Sequence, residues 1–152
     1  MPLSYAAVLI RLAAAVGVGA LIGLDRELRQ KPAGIRTFAL VALGSAVFVL
    51  ETIDSTRSPY TDPTSRVIQG IITGVGFLGA GSIMRTAGEE SVRGLTTAAS
   101  IWLAAAMGIA CGLANWPLVV VGGLLGVLVL VITPVERVIH NRRRTDLKNE
   151  PQ

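Results

Sequence analysis

The sequence predicts an all-α, polytopic membrane protein of five transmembrane helices, with the N-terminus outside and the C-terminus in the cytoplasm. Three observations carry that prediction. Of the 152 residues 51% are hydrophobic and only 16% charged, against roughly 25% charged in an average soluble domain. The apolar residues fall into five long runs separated by short polar connectors, the layout of a multi-span protein. The basic residues gather in alternate connectors, as the positive-inside rule requires.

The runs cover 3–24, 37–53, 67–84, 95–114 and 117–135, each near the ~20 residues that carry a helix across the hydrocarbon core. There every backbone donor needs a partner within its own segment, so helices are expected. A soluble bundle of apolar helices would carry polar stripes at helical period. The second half of the first run, AAAVGVGALIG, has none. Its leading residues, MPLSY, lack Lys and Arg, and the basic cluster follows the apolar stretch, so it reads as a span and not as a cleavable signal. The second run, 37–53, ascends from that cluster. The third contains GVGFLGAG, and the fourth opens on GLTTAAS. The fifth includes LVVVGGLLGVLVLVI, again without a polar stripe. Residues 1–137 thus form the transmembrane domain and 138–152 a basic cytoplasmic tail.

Orientation follows from charge. Arg26, Arg29, Lys31 and Arg36 lie in the first connector, Arg85 and Arg93 in the third, and Arg137, Arg142, Arg143, Arg144 and Lys148 in the tail, so 11 of the 14 basic residues share one side. The other side holds Arg57 and Arg66, with Trp116 placed as an interfacial aromatic. The net charge of +4 therefore reflects topology, and no nucleic-acid partner is expected. The tail HNRRRTDLK is either a grip on anionic lipid, at ~1 kcal/mol per basic residue, or an ordinary basic flank to the last span.

An internal repeat is visible. GIRTFALVALGSA at 34–46 overlays GLTTAASIWLAAA at 94–106 with an offset of 60, and Gly17-Val18-Gly19 with Leu21 resembles Gly74-Val75-Gly76 with Leu78. Each half is a glycine-rich descending span, a basic connector and an ascending span. These are two parallel two-helix repeats plus a fifth helix, and repeat interfaces near the midplane often hold a site.

Gly74, Gly76 and Gly79 have G-x-G-x-x-G spacing, the fingerprint of a dinucleotide turn. That turn needs a strand before it and an acidic residue about 20 positions on. Here the apolar run simply continues through it, so no nucleotide or other cofactor is expected. Small residues instead let helix backbones approach closely in lipid. The pairs Gly19/Gly23, Gly70/Gly74, Gly108/Gly112 and Gly122/Gly126 all have G-x-x-x-G spacing, and with Gly76 and Gly79 they predict tight helix packing. A face left unused would support a homo-oligomer, with a dimer the simplest.

Polar residues mark candidate sites. Arg11 lies about two turns into the first span, where a charge is costly unless paired or hydrated; Glu51 is a possible partner, and snorkelling is the alternative. Asp25, Arg26, Glu27, Arg36, Thr37, Arg85, Arg93, Thr96 and Thr97 converge at the cytoplasmic level. They form a docking or gating cluster, a cation or anion site, or simple interfacial capping. Mg²⁺ prefers carboxylate oxygens and retained water, which makes Asp25 and Glu27 the metal candidates, with Glu89 and Glu90 more distant. His140 is alone, no Ser/His/Asp set is present, and no enzyme is expected. Cys111, the single cysteine, has no intrachain disulfide partner and reads as a small packing residue.

GALIGLDREL, PAGIRTFALVALGSAVF, GVGFLGAGSIMR and SVRGLTTAASIWLAAAMGIACGL together resemble the MgtC/SapB family of bacterial inner-membrane proteins, over about residues 3–135. The resemblance implies five spans with a cytoplasmic C-terminus. It also implies a part in magnesium and acid-stress homeostasis and control of membrane energetics, with the F-type ATP synthase as a partner. The virulence-linked member has a further soluble domain after the fifth span, and Asn and Cys where Thr96 and Leu103 stand here. A short, SapB-like member is therefore the closer match. Three functions remain open: a regulator that docks on membrane proteins, an ion channel or transporter, and a structural homo-oligomer.

Overall fold

The computed structural model describes residues 3–56, 62–85 and 92–148, with side chains over 3–53, 62–83 and 93–132. Its elements are α1 (Tyr5–Leu28), α2 (Ile35–Thr56), α3 (Asp62–Gly81), a two-stranded antiparallel hairpin of β1 (Met84–Arg85) and β2 (Val92–Arg93), α4 (Leu95–Gly112) and α5 (Trp116–Lys148). Met84 pairs with Arg93 and Arg85 with Val92.

By length and composition α1, α2 over Ile35–Ile53, and α4 can cross a membrane. The apolar part of α5 within the described side chains, Trp116–Ile132, is shorter, and α3 falls outside that group. Apart from the far end of α5, the helices begin and end within about five residues of the expected limits, several for identifiable reasons. Ser4 Oγ accepts from the Ala7 N–H at 3.2 Å and starts α1, as a side-chain cap should. At its far end Gln30 takes φ +51°, while Gln30 N–H reaches the Glu27 carbonyl and Lys31 N–H the Arg26 carbonyl. This is a Schellman ending, and it extends α1 beyond Leu24 to Leu28. The end of α4 repeats it, with Ala114 at φ +55° and Asn115 N–H on the Ala110 carbonyl. Asn115 Oδ1 then accepts from Leu118 N–H at 3.3 Å and opens α5.

The third helix stops at Gly81, not at Met84. Ser82 turns the chain into β1, and Gly94 holds φ +97° with its α-carbon against the Ser82 carbonyl, where a Cβ has no room. GVGFLGAG lies within α3, and the strands among the described residues follow it. Helix α5 runs unbroken across position 138, where a separate tail was expected.

The core forms around α2 and α4. Phe38, Ala42, Ala46 and Val49 of α2 meet Ile101, Ala104, Met107, Ala110 and Cys111 of α4, with Ala15 and Ile22 of α1 closing the third side. Small residues set the spacing. A Cβ on Gly19 would strike the Phe38 carbonyl and the Ala39 backbone, and one on Gly23 the backbone of Ile35. On Gly108 it would overlap the Ala42 backbone, and on Gly112 it would press on Ala46 and Val49. Gly122 and Gly126 of α5 receive Met107 and Leu103 of α4. Gly79 lies opposite Ala98 at ordinary contact distance.

Gly70, Gly74 and Gly76 behave differently from the expectation of tight packing. Nothing lies within 4 Å of a Cβ built on any of them. Helix α3 packs inward through Thr64, Val75 and Gly79, which turns these three glycines away from the bundle.

Candidate functional site

The candidate site lies at the connector end of the bundle, where α1 passes to α2 and β2 to α4. Four residues before the Schellman ending, Arg26 turns inward and is only 5% exposed. Its Nη2 donates to Thr97 Oγ1 at 2.9 Å, and Thr97, in the first turn of α4, is 1% exposed. A buried guanidinium is sustained only by polar partners, because removal from water is otherwise too costly. The pair thus ties α1 to α4 across 71 residues of sequence.

Asp25 and Glu27 flank this arginine on different faces, as residues two apart on a helix do not face one another. Asp25 Oδ1 accepts from Arg29 Nε at 2.7 Å, an i,i+4 pair near the surface. Its Oδ2 is buried without a hydrogen-bond partner among the described residues. Glu27 Oε2 accepts from the Ile35 N–H at 2.8 Å and so caps α2. Gly34 leaves room beside it, and a Cβ there would displace that carboxylate. The two carboxylates therefore have separate hydrogen-bond partners. No group of three His, Cys, Asp or Glu side chains able to hold a metal occurs among the described residues.

Beside the Glu27 cap lies an open pocket of about 440 Å³, lined by Glu27, Gln30, Lys31, Gly34, Arg36 and Thr37. Its lining is polar, carries both signs of charge, and faces out of the bundle. Of the other cluster members, Arg93 and Thr96 are exposed, and the Arg85 side chain lies outside the described residues, as do Glu89 and Glu90. The structure thus brings Arg26 and Thr97 together in the interior and Glu27, Arg36 and Thr37 around the pocket. Arg29, Gln30, Lys31 and Gly34 complete the arrangement, although none of them was among the expected site residues. The i,i+4 spacing of Asp25 and Arg29 is a usable signal for one of them.

Arg11 is at the other end. Its Nη1 donates to the Gly112 carbonyl at 2.9 Å, so its partner is the C-terminal end of α4 and not the Glu51 carboxylate. A cation there satisfies a carbonyl that has no partner within the helix and faces the negative end of its dipole. Near the same level Thr52 Oγ1 donates to the Val49 carbonyl and lies 2.9 Å from Thr64 Oγ1, a buried hydroxyl contact between α2 and α3. Leu103, one of the two positions set apart by the family resemblance, fills the space over Gly126.

Known proteins share much of this chain. The profile of the MgtC family matches residues 12–141. Protein SrpB of Synechococcus elongatus is 45% identical over 132 residues, which cover 81% of this chain and 70% of that one. Protein MgtC of Salmonella typhimurium is 49% identical over 108 residues, 71% of this chain and 44% of that one. The putative magnesium transporter YhiD of Escherichia coli is 40% identical over 125 residues, 78% of this chain and 56% of that one. The chain thus spans about half the length of the last two. No solved structure matches it. With a family profile over most of its length and apolar helices of membrane-spanning length, this chain is an all-helical membrane protein and belongs to the MgtC family.

Proposed function

We propose that the protein is a multi-pass inner-membrane protein that regulates magnesium and acid-stress homeostasis, or membrane energetics, by docking onto other membrane proteins. The F-type ATP synthase is the partner this reading names first. The name of its Escherichia coli relative, a putative magnesium transporter, brings magnesium into the reading. In this account all five helices span the membrane, and the connector end, with its excess of Lys and Arg, faces the cytoplasm. The contact of Gly19 with Phe38 and that of Gly79 with Ala98 are each sixty residues apart in both members. That correspondence favours two parallel repeats with one constant offset, Gly19 matching Gly79 in place of Gly76.

The observation that carries the docking reading is how the bundle is filled. Gly19, Gly23, Gly108 and Gly112 bring three backbones into contact, and Arg26 is locked onto Thr97 inside the connector end. The charged groups left accessible, Lys31 and Arg36 with Glu27, surround a pocket that opens outward. Such a surface suits a protein partner. The cation-handling alternative rests on one atom, the buried Oδ2 of Asp25.

The test is affinity purification of the full chain from gently solubilised membranes of cells grown at low magnesium. A membrane-protein partner should co-purify, and the double substitution Lys31→Glu with Arg36→Glu should lower its recovery about tenfold. Repeated recovery of the protein alone would count against docking.

A further inference from the structure

The pocket beside the Glu27 cap stands at the head of two apolar strips. On α1, Leu24, Glu27 and Leu28 have i, i+3, i+4 spacing, one side of a helix, and both leucines are exposed. On α2, Thr37, Leu40, Gly44 and Phe48 have i, i+3, i+7, i+11 spacing. Leu40 and Phe48 are exposed, and nothing lies within 4 Å of a Cβ built on Gly44. Each strip starts at a residue that lines the pocket and runs toward the middle of its helix. The pocket itself is polar and carries both signs of charge. Lys31 is half-buried and Arg36 exposed, with the Thr37 hydroxyl and the Gln30 amide between them in the lining. Glu27 spends Oε2 on the Ile35 N–H, and its Oε1 makes no hydrogen bond among the described residues. A simple anion has no use for Glu27, and a simple cation none for Lys31 and Arg36.

We propose that this pocket binds the headgroup of an aminophospholipid, a phosphate diester that ends in a primary ammonium, as in phosphatidylethanolamine. The phosphate takes Lys31 and Arg36, which suit it as charged donors, and Thr37 adds a hydroxyl. The ammonium takes the Glu27 carboxylate. The acyl chains run along the strips of α1 and α2. The volume of about 440 Å³ falls in the range of small-ligand sites, ~300–1,000 Å³. The strips select a lipid over a soluble phosphate, because chains packed on Leu28 and Leu40 hold the attached headgroup at the pocket mouth and raise its effective concentration. The inference rests on the membrane placement of α1 and α2 in the proposed function. Docking is a separate claim on the same charges, and the lipid then competes with the partner for them.

The experiment is native mass spectrometry of the full chain, purified in detergent without a partner, so that its result does not depend on docking. The probes are phosphatidylethanolamine and phosphatidylglycerol with matched acyl chains, and water-soluble phosphoethanolamine. Phosphatidylethanolamine should give a one-lipid adduct, retained about fivefold better than phosphatidylglycerol, which has the phosphate but no ammonium. Lys31→Gln with Arg36→Gln should lower retention of either lipid about tenfold. Glu27→Gln, which keeps an oxygen for the Ile35 N–H, should abolish the preference between the two lipids. Equal retention of both lipids by the native chain overturns the proposal. So does an adduct indifferent to the Lys31 and Arg36 substitutions, or phosphoethanolamine retained as well as the lipid. A second measurement separates the site from the placement of its helices. Leu40→Cys, in a Cys111→Ala background, should be shielded from membrane-impermeant maleimide in sealed vesicles. Shielding without a phosphatidylethanolamine adduct overturns the lipid site alone, and free labelling overturns the placement and the site together.

Discussion

At the scale of single residues, the two inward-turned arginines define the bundle's ends. Arg26 spends its buried guanidinium on Thr97, so Thr97→Val keeps the shape and removes the acceptor. Loss of a hydrogen bond to a buried charged group costs about 1.5–3 kcal/mol, and thermal unfolding in detergent should show a clear drop in Tm, while Thr97→Ser should restore most of it. Arg11 is satisfied by the Gly112 carbonyl. With Arg11→Leu, amide exchange at 113–115 should speed up while exchange at the connector end stays unchanged. Both arginines were legible in the sequence as charges in unusual places. Their partners were not. Thr97 is 71 positions from Arg26, a separation that spacing rules do not bridge. A search for the partner of Arg11 among carboxylates overlooks a helix-end carbonyl, which carries partial charge without any residue type to signal it.

Among the elements, the glycines separate helices that touch from a helix face that does not. Four G-x-x-x-G pairs are visible in the sequence, and three of them, Gly19/Gly23, Gly108/Gly112 and Gly122/Gly126, lie against a neighbour. Gly70/Gly74 does not, because Val75 and Gly79 point α3 the other way. Periodicity locates a small-residue face but carries no information on which face a neighbour uses. Consequently Gly108→Ala, which would place a methyl against the Ala42 backbone, should force α2 and α4 apart and lower stability by about 1–3 kcal/mol. Gly17→Ala enters open space and should leave stability unchanged or raise it by up to ~1 kcal/mol. Urea or thermal unfolding of the two variants side by side checks both. Most helix limits were legible to within a few residues, but α5 runs to Lys148, well past the expected 135, because its polar continuation stays helical; smaller misses lie at left-handed endings. Gln30 and Ala114 adopt φ values that sequence rules reserve for glycine or asparagine.

For the whole molecule, the all-helical membrane class was plain in the sequence, since apolar runs of membrane length without a polar stripe do not suit a bundle surrounded by water. The pocket at the connector end was only partly legible. Arg36 and Thr37 were in the expected cluster, but the pocket exists because Glu27 folds back to cap Ile35 and leaves space beside Gln30 and Lys31. The function proposed here turns on the filled bundle: α1, α2 and α4 meet through backbone-close glycines, and the polar groups around the pocket open outward, where the proposed partner would dock. The most direct measurement is ion flux in proteoliposomes containing the purified full-length chain, under imposed Mg²⁺ and proton gradients. Docking predicts that flux equals that of empty liposomes, and that Asp25→Asn changes nothing. Flux above that background that disappears with Asp25→Asn would contradict it.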